Sequence, residues 1–68
     1  MPYVGTGETL AHLMRLNGVG CYQGQDHLYY LERGIGEVSR KAIDDALARG
    51  LILPKWADSP QLEYWRAT

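Results

Sequence analysis

Sixty-eight residues with a formal net charge of −1, 46% hydrophobic and 22% charged side chains are the size of one small domain. A single cysteine excludes an internal disulfide, and the apolar share is too high for a disordered tail. The longest apolar run, Leu51-Ile52-Leu53-Pro54, is far short of the ~20 residues that a membrane helix needs. Met1 to Gly7 lack the basic-then-apolar pattern of a secretory signal, and a lone thiol suits a reducing interior. The expectation is a cytoplasmic chain with no membrane partner.

The first element expected is a helix from about Glu8 to Asn17. Thr6 can cap it, Glu8 suits its first turn, and Asn17-Gly18 supplies the stop. Leu10, Ala11, Leu13, Met14 and Leu16 make a broad apolar face, with His12 and Arg15 outward. From Val19 to Gly36 two readings stand. The adjacent Tyr29 and Tyr30 favour a strand, and a Gln23-Gly24-Gln25-Asp26 turn could pair Cys21-Tyr22 with Tyr29-Tyr30. Alternatively, Leu28 and Leu31 seed a short helix ending at Gly34.

A second helix begins after Ser39, a good N-cap, with Val38 placed to close on Ile43 as a hydrophobic staple. Ala42, Ile43, Ala46 and Leu47 form its inward stripe. Arg49 suits its last turn, Gly50 can take the left-handed stop, and Leu51 can fold back on the helix end. Two strand-like runs close the chain, Leu51–Trp56 and Gln61–Arg66, around the turn-forming Ala57-Asp58-Ser59-Pro60. Leu62, Tyr64 and Arg66 share one face of the last run; Glu63 and Trp65 share the other. Pro54 cannot donate to a ladder and belongs at a sheet edge or strand end. The sum is a small α+β domain spanning residues 1–68: helix, strand or hairpin, helix, β-hairpin.

The segment from Val38 to Ile52, followed by that hairpin, resembles the recognition helix and wing of winged helix-turn-helix proteins. In that family a capped helix ending in Arg-Gly-Leu-Ile commonly precedes the two wing strands. The resemblance covers about residues 36–66. The family places a further helix ahead, around Gln25–Arg33, where this chain offers either a strand or a short helix. The resemblance implies a DNA-binding regulator of transcription, with Ser39, Arg40 and Lys41 at the recognition-helix start, Lys55 on the wing and Arg66 in the last strand as phosphate or base contacts.

Charge tempers that expectation. Residues 1–34 carry two basic side chains against three acidic ones, and residues 35–68 carry five against five. On a helical wheel the outward face of the second helix centres on Lys41, Asp44, Asp45 and Ala48, with Arg40 and Arg49 at its margins. Two aspartates there would meet a polyanion, although they can also pair with neighbouring cations at i,i+4.

The aromatic composition points elsewhere. Five tyrosines, two tryptophans and no phenylalanine suit rings with one wet end, as at interfaces. The alternative expectation is therefore a protein-interaction module, of the phage-type inhibitor or adaptor kind, whose sheet face carries Tyr29, Tyr30, Trp56, Tyr64 and Trp65. A homodimer is a further possibility.

Catalytic and metal chemistry find little support. Val4-Gly5-Thr6-Gly7-Glu8-Thr9 lacks the Gly-Lys-Ser/Thr ending of a phosphate loop and reads as a helix lead-in. His12, Cys21 and His27 lack the paired spacing of a zinc site, and no triad accompanies the thiol. Cys21 is expected as a small buried hydrophobe and His27 in a turn or at the surface. No enzyme activity, cofactor or metal is expected.

Overall fold

The computed structural model describes residues 3–54 and 63–68. In chain order these form β1 (Tyr3–Val4), α1 (Gly7–Asn17), β2 (Cys21–Gln23), β3 (Tyr29–Leu31), a 3-10 turn (Glu32–Gly34), β4 (Glu37–Val38), α2 (Arg40–Ala48), β5 (Ile52–Pro54) and β6 (Tyr64–Ala67). This is the mixed α+β class expected. Lys55, Trp56, the turn expected at 57–60, Gln61 and Leu62 lie outside the described residues.

Both helices begin and end where local chemistry directs. The Thr6 hydroxyl accepts the Thr9 amide at 3.3 Å, and the Ser39 hydroxyl accepts the Ala42 amide at 3.0 Å. Each cap satisfies an amide that the first helical turn cannot. Gly18 turns α1 off with φ 63°, and Gly50 ends α2 with φ 70°. After α2, the Gly50 amide donates to Leu47 O at 3.1 Å and the Leu51 amide to Ala46 O at 2.9 Å. That bond pair is the Schellman stop, and it points the chain straight into β5.

The strands form one six-stranded sheet in the order β1-β4-β3-β2-β6-β5. Only β1 and β4 run parallel; the other neighbours are antiparallel. Between Gln23 and Leu28 the chain turns, and Cys21, Tyr22 and Gln23 pair with Leu31, Tyr30 and Tyr29. Of the two readings for 25–33, the strand is the one found at Tyr29–Leu31, followed by the 3-10 turn at Glu32–Gly34. A turn, β3 and a single 3-10 turn therefore occupy the place where a helix-turn-helix would carry its first helix. Pro54 ends β5, the edge strand, where its missing N–H leaves no ladder bond unmade.

Side chains alternate across the sheet and decide where the core lies. Val4, Cys21, Leu31, Val38, Ile52 and Trp65 point to one face and are buried with Leu10, Met14, Ala42, Ile43 and Ala46 of the helices. Val38 and Ile43, the expected staple, are both in this cluster. Two expectations change here. Leu16 is 70% exposed, because the buried arc of α1 runs through Gly7, Leu10, Ala11 and Met14 and leaves Leu16 outside it. Trp65 is only 4% exposed, because its strand face is the one that α1 and α2 cover.

Candidate interaction surface

Two surfaces gather the residues with functional potential: the N-terminal end of α2, and the sheet face turned away from the helices.

At the α2 end, Arg40 is held from several sides. Its Nε donates to Asp44 at 3.1 Å, and its Nη1 donates to the Tyr29 hydroxyl at 2.9 Å and lies 3.5 Å from Glu63. The guanidinium sits 5.4 Å from the Tyr29 ring centroid and 5.8 Å from that of Trp65. Such a seat, with ring faces below and carboxylates at the edge, suits the planar fork of arginine. The Ser39 hydroxyl oxygen is engaged in the cap. Lys41 is exposed and lines a shallow cleft with Gly5, Thr6, Glu8, Asp45 and Arg49.

Asp45 departs from the outward position expected of it. It is half-buried, accepts the Gly7 amide at 3.2 Å and takes Arg49 Nε at 3.0 Å. Its carboxylate therefore occupies the positive end of α1, the place where a phosphate would otherwise be drawn. Arg49 also reaches Glu8 at 2.9 Å. With Arg40 and Arg49 each bonded to two acids, both arginines of α2 and its end are neutralised, and Lys41 is left as the exposed cation there.

The opposite sheet face has a different character. Register places Tyr3, Glu37, Tyr30, Tyr22 and Tyr64 side by side across β1, β4, β3, β2 and β6. With about 4.8 Å between strands, this row spans about 19 Å. Tyr3 is 64% exposed, while Tyr22, Tyr30, Tyr64 and Glu37 are half-buried. The Tyr22 and Tyr30 rings stand 6.0 Å apart at 39°. Arg66 and Leu53 pair on the same face at the β5 side. Both described helices bury their apolar stripes on the far side of the sheet, so neither covers this row.

Hydrogen bonds fix two of these rings. The Tyr30 hydroxyl donates to Asp26, and the Tyr64 hydroxyl donates to Glu32, which also accepts the Gly20 amide at 2.8 Å. The bond to Asp26 pushes the Tyr30 phenol up to about 12, and the bond to Glu32, helped by burial, does the same for Tyr64. The same Tyr30 bond, with the Leu28 amide, holds Asp26 below its ordinary value.

Among the residues expected on an interaction face, Tyr30 and Tyr64 stand on the open side. Tyr29 is half-buried on the helix side, bonded to Glu63 at 3.1 Å and packed 5.7 Å from the Trp65 ring. Trp65 belongs to the core. Tyr3, Tyr22 and Glu37 complete the row and were not singled out from the sequence. The pairing of Cys21-Tyr22 with Tyr29-Tyr30 already carried Tyr22, since residues opposite one another in a hairpin share a face. Cys21 is fully buried, and burial pushes its thiol up to about 12. His27 is exposed in the turn, with φ 67°.

The fold and this surface define a small α+β domain with helices on one side of its sheet and a tyrosine row on the other. Comparison with protein-family models, curated proteins and solved structures finds no match.

Proposed function

We propose that this chain is a binding module that docks another protein through the open sheet face. The observation that carries this is the cross-strand row Tyr3-Glu37-Tyr30-Tyr22-Tyr64, aromatic, partly exposed and left uncovered by the helices. Tyrosine supplies large, rigid contact area at small entropic cost and keeps a hydroxyl for water or a partner, the profile of interface anchors. Catalysis has no comparable support, since the one thiol is buried and protonated at neutral pH.

Duplex DNA is the weaker reading. Arg40 and Arg49 are each bonded to two carboxylates, and a phosphate would have to displace those bonds. Arg15, Arg33, Lys41 and Arg66 have no ion pair among the described residues, and they are spread over α1, the 3-10 turn, α2 and β6. Charges so scattered give little counterion release.

A photo-crosslinking amino acid placed at Tyr22, and as a control at Leu16, tests the docking face in extracts of the source cells. A discrete crosslinked protein from position 22 alone is expected. It should be competed by excess unlabelled wild-type chain, and not by a Tyr22→Ala/Tyr30→Ala variant. Equal crosslinking from both positions, or none from position 22, contradicts the reading. A labelled duplex at about 50 mM salt, where phosphate contacts are strongest, is expected not to shift.

A further inference from the structure

We propose that the partner docked on the open face is cationic, presenting an arginine side chain that seats between Tyr3 and Tyr30 against the Glu37 carboxylate. This rests on the reading of the open face as a protein-docking surface and names the chemistry of what it takes.

The order of the row is the first observation. Glu37 stands between Tyr3 on β1 and Tyr30 on β3, with Tyr22 next beyond Tyr30. One carboxylate thus stands between two tyrosines on neighbouring strands, about 4.8 Å to either side, an arrangement that lets a guanidinium stack on a ring and donate sideways to an acid. The surrounding charge has the same sign. Glu32 and Asp26 hold the hydroxyls of Tyr64 and Tyr30, while Arg66, toward the β5 edge, is the one cation that register places on this face among the described residues. Glu37 has no ion pair among the described residues. A polyanion would meet carboxylates here, whereas a basic segment would meet complementary charge.

The second observation lies on the other side of the same sheet. There, Tyr29 and Trp65 form a ring platform edged by Glu63 and Asp44, and Arg40 of the chain itself fills it. The molecule thus contains a worked instance of arginine on rings beside carboxylates. The open face repeats those components, and among the described residues no arginine of the chain is paired with Glu37 there. Arginine fits better than lysine because its planar fork can stack and bond at once.

Fluorescence anisotropy of short Gly/Ser peptides bearing several arginines, lysines, glutamates or glutamines, titrated with the full chain, tests this. Arginine peptides are expected to bind, lysine peptides more weakly, and the others not at all, with affinity falling as salt rises. Glu37→Gln and Tyr30→Ala should each weaken arginine-peptide binding by roughly fivefold or more, on the scale of a partly exposed charge pair or cation–π contact. Glu8→Gln, an acid on the helix side, should leave it unchanged. Glu37→Gln retains side-chain volume, so it remains decisive if Tyr30→Ala loses structure by circular dichroism. Arginine peptides that fail to bind, or that bind Glu37→Gln as well as wild type, overturn the proposal. Preference for acidic or neutral peptides, binding of a single-stranded oligonucleotide, or a dimer lost in Tyr30→Ala overturns it equally. The position-22 crosslink separates the two levels: a crosslink without arginine-peptide binding removes only the cationic partner, and no crosslink removes the docking face.

Discussion

The Tyr64 ring lies across the backbone of Gly20, so closely that a Cβ on Gly20 would sit 2.7 Å from Tyr64 Cε1. This approach brings the Tyr64 hydroxyl to Glu32, whose carboxylate also takes the Gly20 amide. One glycine thereby anchors one end of the open-face row. Gly20→Ala should destabilise the fold by about 1–3 kcal/mol, the usual cost of forcing atoms into a filled site. In a Tyr64→Ala background the same change should cost much less. Urea midpoints of the four proteins check this; equal losses in both backgrounds would show that the ring is not what excludes a side chain.

A second close approach joins the helices. A Cβ on Gly7 would lie 2.7 Å from Ala46 N and 3.0 Å from Ala46 Cα, backbone atoms of α2 that cannot swing aside. Alanine is the better helix former by about 1 kcal/mol in a helix interior, so propensity alone favours Gly7→Ala. Packing should win, with a net loss of about 1–3 kcal/mol. Thermal unfolding checks the sign: a higher midpoint would contradict so close an approach of α1 and α2.

The parts of this fold that were legible are those written in local chemistry. Thr6, Gly18, Ser39 and Gly50 each act within a few residues of themselves, and all four do what their types dictate. The β2–β3 hairpin was legible as one of two readings because its turn lies between residues that pair. The strands β1 and β4 were not, since two residues carry no period and Tyr3 finds Glu37 only across half of the chain. Alternation separated Tyr64 from Trp65, and Tyr29 from Tyr30, without revealing which member of each pair faced inward. That choice belongs to the helices, whose side of the sheet no strand sequence encodes. The candidate surface was thus half visible: its aromatic composition could be read, while Glu37 and Tyr3 needed the assembled sheet.

Cys21 lies at the centre of that assembly, fully buried, its thiol raised to about 12 by burial. A thiol so protected reacts only when the structure opens. Labelling by an aromatic disulfide reagent should be slow in buffer and should accelerate with urea in step with global unfolding. Rapid labelling of the native protein would contradict a continuous core beneath the sheet.

Tyr30 and Tyr64 give the fold an alkaline signature. Their phenols are raised from 10.0 to about 12 by donation to Asp26 and Glu32. A raised folded value means that the protonated phenol is favoured in the folded state. The associated stability is fully present below pH 10 and is lost as pH rises toward 12. Asp26 acts at the other extreme: its lowered value contributes above the ordinary carboxylate range, and that contribution fades as pH falls through the folded value. Ultraviolet titration of tyrosinate should show two late phenols, and Asp26→Asn should return Tyr30 alone toward 10. An unchanged titration in that variant would remove Asp26 as the cause.

The most direct test of the central claim is amide chemical-shift mapping of the isotope-labelled chain during titration with an arginine-bearing peptide. Shifts concentrated at Tyr3, Tyr22, Tyr30 and Glu37, with α2 from Arg40 to Ala48 unperturbed, are the predicted result. Shifts gathered on α2, with the tyrosine row silent, would contradict the assignment of function to the open face.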